Sequence, residues 1–501
     1  MGYINYPKEI PIGTIRSKRS VLSPSMYRQT TISTSRTKQL AQLLDPEDPF
    51  DKGTEPGSIW YSSNSSHYFI RTKALQNHSF LPYQKGNAII PINPRVFVDA
   101  NLGPGDILLS KDSNIGESVI LWDDDWHNHM FSSGIVRLNP SSHPLYLFAF
   151  LKHPVFKAQL TAMTPRGSTI SHARSRWLEC LVPFPNQENS DYVIRFVSIL
   201  TQAIVEKEQL IRRKDEEIIR TIDDELIRGS IKVPKFVFSH PKLDQIRTVG
   251  RLDAAIYSTE FRERIYLIEN YYLGTETPTE MGFTVTPGPS LEIKIINTRL
   301  DSDHYKPGYY GLILPKNISE YGTMNRMQYI GTGKKLPLLR QGDIVFGEAG
   351  FQKGRSVVLI DPVEYCTTNA HGIYARHKEG NLVRTIFFRC IFNWYRRMKL
   401  IDLIGVGGSG GHLSPSYFDT YLRIPKFPDR IQSDIARLYH NPSQSQAVQP
   451  TLDGFLEYHR RRNGESGIWD LHRDIRDLRS TLMDTLDMII EGNTVTLPVQ
   501  V

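Results

Sequence analysis

Gly105-Asp106-Ile107-Leu108-Leu109-Ser110, then Ile115-Gly116-Glu117-Ser118-Val119-Ile120, then Ser132-Ser133-Gly134-Ile135-Val136-Arg137, is a pattern the chain states twice. Its second statement is Gly342-Asp343-Ile344-Val345-Phe346-Gly347, Lys353-Gly354-Arg355-Ser356-Val357-Val358 and Asn369-Ala370-His371-Gly372-Ile373-Tyr374-Ala375-Arg376. The offset is 237 residues between Asp106 and Asp343 and 238 between Gly134 and Gly372. A nearly constant offset over separate landmarks points to two diverged copies of one domain. Two related copies in one chain suit a pseudo-symmetric reader of a two-part ligand.

The echo extends outward from those strands. Residues 19–27, ending at Tyr27, resemble Arg251 to Tyr257, and Pro165-Arg166-Gly167-Ser168-Thr169-Ile170-Ser171-His172 resembles Val406-Gly407-Gly408-Ser409-Gly410-Gly411-His412. Val182-Pro183-Phe184-Pro185 returns as Ile424-Pro425-Lys426-Phe427-Pro428. Further strands are expected at Tyr68–Arg71, Ala88–Pro91, Leu291–Ile296 and Gly311–Leu314, where short apolar runs lie between turn residues. Residues 34–58 are polar, and the acidic, proline-bearing stretch Asp45-Pro46-Glu47-Asp48-Pro49 within them reads as a loop. One helix is expected from Tyr146 to about Leu160 and its counterpart from Val383 to Leu400.

Asp191 to Arg228 carries the longest helical signal, with Val193, Val197, Leu200, Ile204, Ile211, Ile218 and Ile222 at steps of three, four or seven. At about 1.5 Å per residue such a helix runs roughly 57 Å. Leu471, Ile475, Leu478 and Leu482 mark a second amphipathic helix over 469–491. The face bearing Val197, Ile204, Ile211 and Ile218 is expected to pack on it, with the charged outer faces left for a partner.

A chain of 501 residues, 40% hydrophobic and 23% charged, is globular and long enough for several cores. The net charge of +7 leans mildly toward a polyanionic partner. Three cysteines without metal spacing fit a reducing, cytoplasmic setting. No apolar run has the length of a membrane helix, and the start shows no signal peptide.

The order of elements — recognition core, Gly-Ser-His loop, proline-rich exit strand, long helix, all twice — resembles the specificity subunits of type I restriction–modification systems. Residues 105–120, 165–172 and 181–228 carry the match, with 342–360, 407–412 and 422–438 behind them. The resemblance implies a mixed α/β fold: two pseudo-repeated target-recognition domains joined by long coiled-coil-like helices. It implies a target-recognition domain over 1–190, a spacer helix over 191–230, a linker over 231–250, a second recognition domain over 251–428 and a C-terminal helical region over 429–501. The second half departs from the pattern, because the helix after Pro428 is short and 441–468 reads as an insertion. The function implied is sequence-specific recognition of a bipartite site in double-stranded DNA for a DNA methyltransferase partner, within phage defence. A restriction or translocase subunit would be an optional further component. S-adenosylmethionine would sit on the methyltransferase, and this chain would carry no cofactor. The alternative is a phage-defence nuclease or sensor on the same scaffold.

Candidate DNA contacts come first from the loop Arg166, Ser168, Thr169, Ser171, His172, Arg174 and Arg176, which groups cations and hydroxyls after a glycine. Arginine can also hold guanine O6 and N7 with two bonds. Ser409 and His412 are the equivalents in the second copy. Lys111 and Asn114, and Lys353 and Arg355, are expected in the exposed turn after each Gly-Asp strand. Asp106 and Asp343 look catalytic, but each follows a turn glycine and lacks a partner at useful spacing, so a structural turn is expected. His127 and His129 beside Asp123-Asp124-Asp125 read better as a solvated hairpin than as a metal site. Glu292-Ile293-Lys294 lacks the upstream aspartate of a nuclease strand, and no phosphate-binding loop or methyltransferase motif is present. No catalytic or metal residue is therefore assigned.

Overall fold

The computed structural model describes residues 3–17, 20, 22, 24–123, 126–163, 173–230, 236–237, 240–350, 353–407, 411–442 and 450–499. The chain divides into two compact units. Unit 1 comprises Met1–Leu210, Gln444–Gly464 and Arg473–Val501; unit 2 comprises Ile211–Ser443 and Glu465–His472.

Each unit is built on the same sheet. In unit 1 the antiparallel order is Phe50–Lys52, Ile135–Leu138, Ile107–Ser110, Ser118–Ile120. In unit 2 it is Phe283–Pro287, Gly372–His377, Ile344–Gly347, Ser356–Val358. The strands Ile107–Ser110 and Ile344–Gly347 are buried along their whole length, which is why they read as unbroken apolar runs and not as alternation. Glycines with positive φ flank both, Gly105 and Gly116 in unit 1 and Gly342 and Gly354 in unit 2. A Cβ is strained in that conformation, which explains why glycine recurs there.

The likeness continues in a second sheet. Tyr68–Ile70 pairs antiparallel with Ile89–Pro91 and parallel with His129–Phe131. Tyr310–Leu312 pairs antiparallel with Gln328–Gly331 and parallel with Cys366–Thr367, and Leu300–Ser302 adds an edge. Each exit strand returns to a strand near the start of its unit: Leu181–Pro183 to Thr37–Gln39, and Ile424–Pro425 to Thr275–Glu276.

Both units also bury a cation at the same place. Lys152 Nζ donates to the carbonyls of Gln76, Ser79 and Ser118 at 3.0, 2.9 and 3.0 Å. In unit 2, 237 residues on, Arg389 Nε donates to Ser356 O at 3.3 Å, and its guanidinium lies 4.8 Å from the Tyr439 ring centre. Buried charge is costly unless hydrogen-bonded: three carbonyls hold Lys152, whereas Arg389 has the Ser356 carbonyl and the Tyr439 ring, and its Nη1 is buried without a hydrogen bond among the described residues.

Ser190–Gly229 forms one helix, whose residues from Ile211 onward belong to unit 2. Within unit 1 it buries Val193, Phe196, Val197, Leu200 and Ile204. Phe196 meets Phe455 edge-on at 6.1 Å, on a helix Phe455–Glu465. Lys207, with no exposed side-chain surface, donates to Asn463 Oδ1 at 2.5 Å and Asp474 Oδ2 at 2.9 Å. Glu208 accepts from Arg479 and from the backbone N–H groups of Phe80 and Leu81. The C-terminal helix Ile468–Glu491 is thereby tied to the long helix inside unit 1. In unit 2, Asp215 accepts from Asn393 Nδ2 at 3.1 Å and Arg397 Nη1 at 2.5 Å, and Trp394 Nε1 donates to Asp223 at 2.8 Å.

Several local expectations change. The single helix over 146–160 is two, Pro144–Lys152 and Pro154–Met163, because Pro154 disfavours helical backbone at His153. Its counterpart Leu382–Arg397 has no proline and runs unbroken. Leu291–Ile296 is no strand: Ile293–Ile296 makes one helical turn, with Ile295 and Ile296 N–H groups donating to Glu292 O. Alternation alone cannot form a strand where no partner edge is available. The loop 45–49 stands between the strand Thr37–Gln39 and the sheet edge Phe50–Lys52. The linker 231–250 contains a helix, Leu243–Val249, closed by Gly250 at φ 68°, and the insertion 441–468 contains Phe455–Glu465.

Candidate nucleic-acid interface

The end of each sheet formed by the turn after the Gly-Asp strand has the same hydrogen-bonded frame. In unit 1, Ser110 N–H donates to Glu117 O at 2.8 Å and Gly116 N–H to Ser110 O at 2.9 Å. In unit 2, Gly347 N–H donates to Arg355 O at 2.8 Å and Gly354 N–H to Gly347 O at 2.9 Å. The next residue is bound on both sides. Lys111 N–H donates to Gly134 O at 2.9 Å, while Lys111 O accepts from Ala173 N–H at 2.8 Å. Glu348 N–H donates to His371 O at 2.9 Å, while Glu348 O accepts from Leu413 N–H at 3.0 Å. Ala173 and Leu413 are the first residues after the Gly-Ser-His segments, so in both units the residue that follows that segment is bonded to the turn.

The side chains on this frame differ. Lys111 Nζ reaches Asp112 Oδ2 at 2.7 Å and keeps a fifth of its surface exposed. Asn114 Nδ2 leans toward Thr72 O at 3.4 Å. Arg174 is exposed with φ 52°, and its carbonyl accepts from the buried Trp177 indole at 2.9 Å, which anchors the loop's exit. Arg176 is half-buried. Arg166, Ser168, Thr169, Ser171, His172 and Ser409 lie outside the described residues. His412 is more than half exposed, and Val406 and His412 exchange backbone hydrogen bonds at 3.0 and 2.8 Å.

Lys353 and Arg355 do not occupy an exposed turn. Lys353 is buried, with Nζ 3.2 Å from Asp402 Oδ1. Arg355 Nη1 donates to Ile318 O at 3.0 Å and its guanidinium faces Glu320 at 3.8 Å. The second copy's turn has one residue more than the first, which places Lys353 opposite apolar Ile115 and Arg355 opposite Glu117, both inward-facing positions.

Sequence reasoning passed over two residues at this end, Glu348 and His371. The carboxylate of Glu348 lies 3.6 Å from His371 Nδ1 and 3.7 Å from His412 Nδ1. The constant offset of 237 already aligned Glu348 with Lys111. Its carboxylate carries none of the positive charge that marks a phosphate contact.

At the other end of each sheet the aspartates are structural. Asp106 Oδ2 accepts from Gly103 N–H at 3.0 Å and faces Arg137 at 3.4 Å. Asp343 accepts from Arg340 N–H at 2.8 Å and from Arg376 through both oxygens at 2.7 and 2.6 Å. Arg376 stands one pleat further along its strand than Arg137, on the same face. His129 stacks on Tyr68 at 4.9 Å, and burial pushes its pKa down to about 4. Among the described residues no group of His, Cys, Asp or Glu is arranged to hold a metal ion, and no helix is long and apolar enough to cross a membrane. Glu292 and Lys294 pair with each other at 2.7 Å.

The helix residues are buried: Val197 and Ile204 within unit 1, and Ile211 and Ile218 within unit 2. Ile475, Leu478 and Leu482 are buried in unit 1 and Leu471 in unit 2.

No family model matches the chain, and no curated protein matches it. Among solved structures the chain is similar to a type I restriction–modification S subunit from M. genitalium, at 14% identity over 90% of this chain and 95% of that one, with a TM-score of 0.39. It is similar to a chain from a study of complex assembly and conformational transition of the type I R-M system, at 11% identity over 92% and 98%, TM-score 0.28. It is also similar to the HsdS subunit from Thermoanaerobacter tengcongensis, at 12% identity over 92% and 97%, TM-score 0.27.

Proposed function

We propose that this chain is a non-catalytic DNA-recognition subunit that reads a bipartite sequence in double-stranded DNA and directs a partner DNA methyltransferase to it. One observation carries the reading. Each unit ends its sheet in the same turn-and-loop frame, held by matching backbone hydrogen bonds, with different side chains mounted on it. A duplicated frame with diverged side chains is what reading two unlike half-sites requires, since phosphate contacts fix position and side chains at base edges carry sequence. The order of motifs along the chain supports the same reading.

In unit 1 the contacts are Lys111, Asn114, Arg174 and Arg176, together with Arg166, Ser168, Thr169, Ser171 and His172 of the loop. In unit 2 they are His412 and Ser409. Lys353 and Arg355 are engaged with Asp402 and Glu320 and are left out. The methyltransferase brings S-adenosylmethionine, and a restriction or translocase subunit can join the complex. The setting is the cytoplasm.

The test compares methylomes of cells with and without the gene. The expected result is a two-part methylated motif that disappears when the gene is deleted. An unchanged methylome, together with no DNA binding by the purified complex, would overturn the proposal.

A further inference from the structure

The turn residue at the candidate interface carries opposite charge in the two units. Lys111 and Glu348 hold equivalent places: each follows the last residue of its strand, donates its N–H to the equivalent carbonyl, Gly134 or His371, and accepts from the residue that closes the Gly-Ser-His loop. Lys111 presents an ammonium a fifth exposed. Glu348 presents a carboxylate a quarter exposed. The flanking His371 and His412 nitrogens stand at ion-pair distance from that carboxylate, 3.6 and 3.7 Å, and among the described residues no hydrogen bond reaches its oxygens.

We infer that Glu348 is a specificity-determining residue of the second half-site, accepting a hydrogen bond from an exocyclic amino group of cytosine or adenine, while Lys111 reads an acceptor edge in the first. The inference rests on the proposed DNA-recognition role. Its chemistry is that of the groove. An ionised carboxylate only accepts, and a lysine only donates. In the major groove the only base donors are cytosine N4 and adenine N6, whereas guanine O6 and N7 are acceptors. Phosphate repels a carboxylate, whereas a base amino group can donate a hydrogen bond to it. His371 and His412, both largely exposed, are placed on either side to offset that repulsion by donating to the flanking phosphates.

The test is selection from a randomised double-stranded DNA library by the full-length chain. Wild type, Glu348→Gln, Glu348→Lys and Lys111→Gln are compared, with melting curves as the check on folding. Wild type is expected to enrich a two-part motif. Glu348→Gln should relax one position in one half by roughly tenfold or more, because the amide can donate as well as accept. Glu348→Lys should shift that position toward guanine. Cytosine or adenine in the wild-type motif at that position identifies which amine is read. Lys111→Gln should alter only the other half. Stronger binding by Glu348→Gln with an unchanged motif would mean that the carboxylate only repels phosphate, and would overturn the inference while leaving the proposed function standing. A position altered by both the Glu348 and the Lys111 variants would overturn it too. No enriched motif with wild type, alone or in its purified complex, together with an unchanged methylome would overturn the proposed function and this inference together.

Discussion

Lys152 and Arg389 occupy one position in two units, a lysine in one and an arginine in the other. Burial pushes the Lys152 pKa from 10.5 down to about 7. Between those values the unfolded chain holds a proton that the folded chain has released, so this group makes stability rise with pH from about 7 to 10.5. Denaturation of wild type and Lys152→Met across that window should show the steeper rise in wild type; parallel curves would remove the lysine from the account. At the interface, Arg174→Ala with Arg176→Ala should weaken DNA binding about 10-fold or more with an unchanged melting curve, at roughly 1–3 kcal/mol per lost contact. Wild-type affinity would make both arginines mere surface. Single residues were the least legible level of the sequence. Asp106 and Asp343 were readable as turn residues because glycine precedes each. Lys353 was not readable as buried, because one extra residue in its turn shifts which side chains face inward, and a sequence does not display that register.

The long helix reads differently in its two halves. Its first half is buried nearly all round in unit 1, so Ile204→Asp would attack the fold of that unit before it touched any partner surface. A partner is better sought on the exposed stripe Arg213, Glu217, Arg220, Asp224 and Arg228, whose steps of three and four keep one face. Reversing the charges of Arg213, Arg220 and Arg228 should abolish co-purification with the methyltransferase without moving the melting temperature; a retained complex would send the search to another face. Inside unit 1, Asp474→Ala should cost about 3–5 kcal/mol, because it leaves the Lys207 ammonium buried with only Asn463. The double change Lys207→Met with Asp474→Leu should recover most of that in chemical denaturation. The helix itself was legible from its apolar steps, and so were the hairpin strands. The parallel pairing of Tyr68–Ile70 with His129–Phe131 was not, since strands 61 residues apart leave no local trace of their partnership. The break at His153 was legible in Pro154, but the apolar run across it masked the break.

For the whole molecule, DNA affinity should fall with salt at a log–log slope of about −0.9 per neutralised phosphate. A net charge of +7 spread over 501 residues makes that a modest number of phosphates. A flat titration between low and high salt would exclude a phosphate-based footprint. Duplication was the most legible feature of all, because it needed only an offset. The division of the chain between units was not legible, because it depends on the return of the C-terminal segment. That division governs the order in which the protein can be made. Chains ordinarily complete their N-terminal domain first during synthesis. Here unit 1 needs Gln444–Gly464 and Arg473–Val501, which leave the ribosome only after most of unit 2. Until then Phe196 lacks Phe455, Lys207 lacks Asn463 and Asp474, and Glu208 lacks Arg479, and the first half to be translated is the last to be finished.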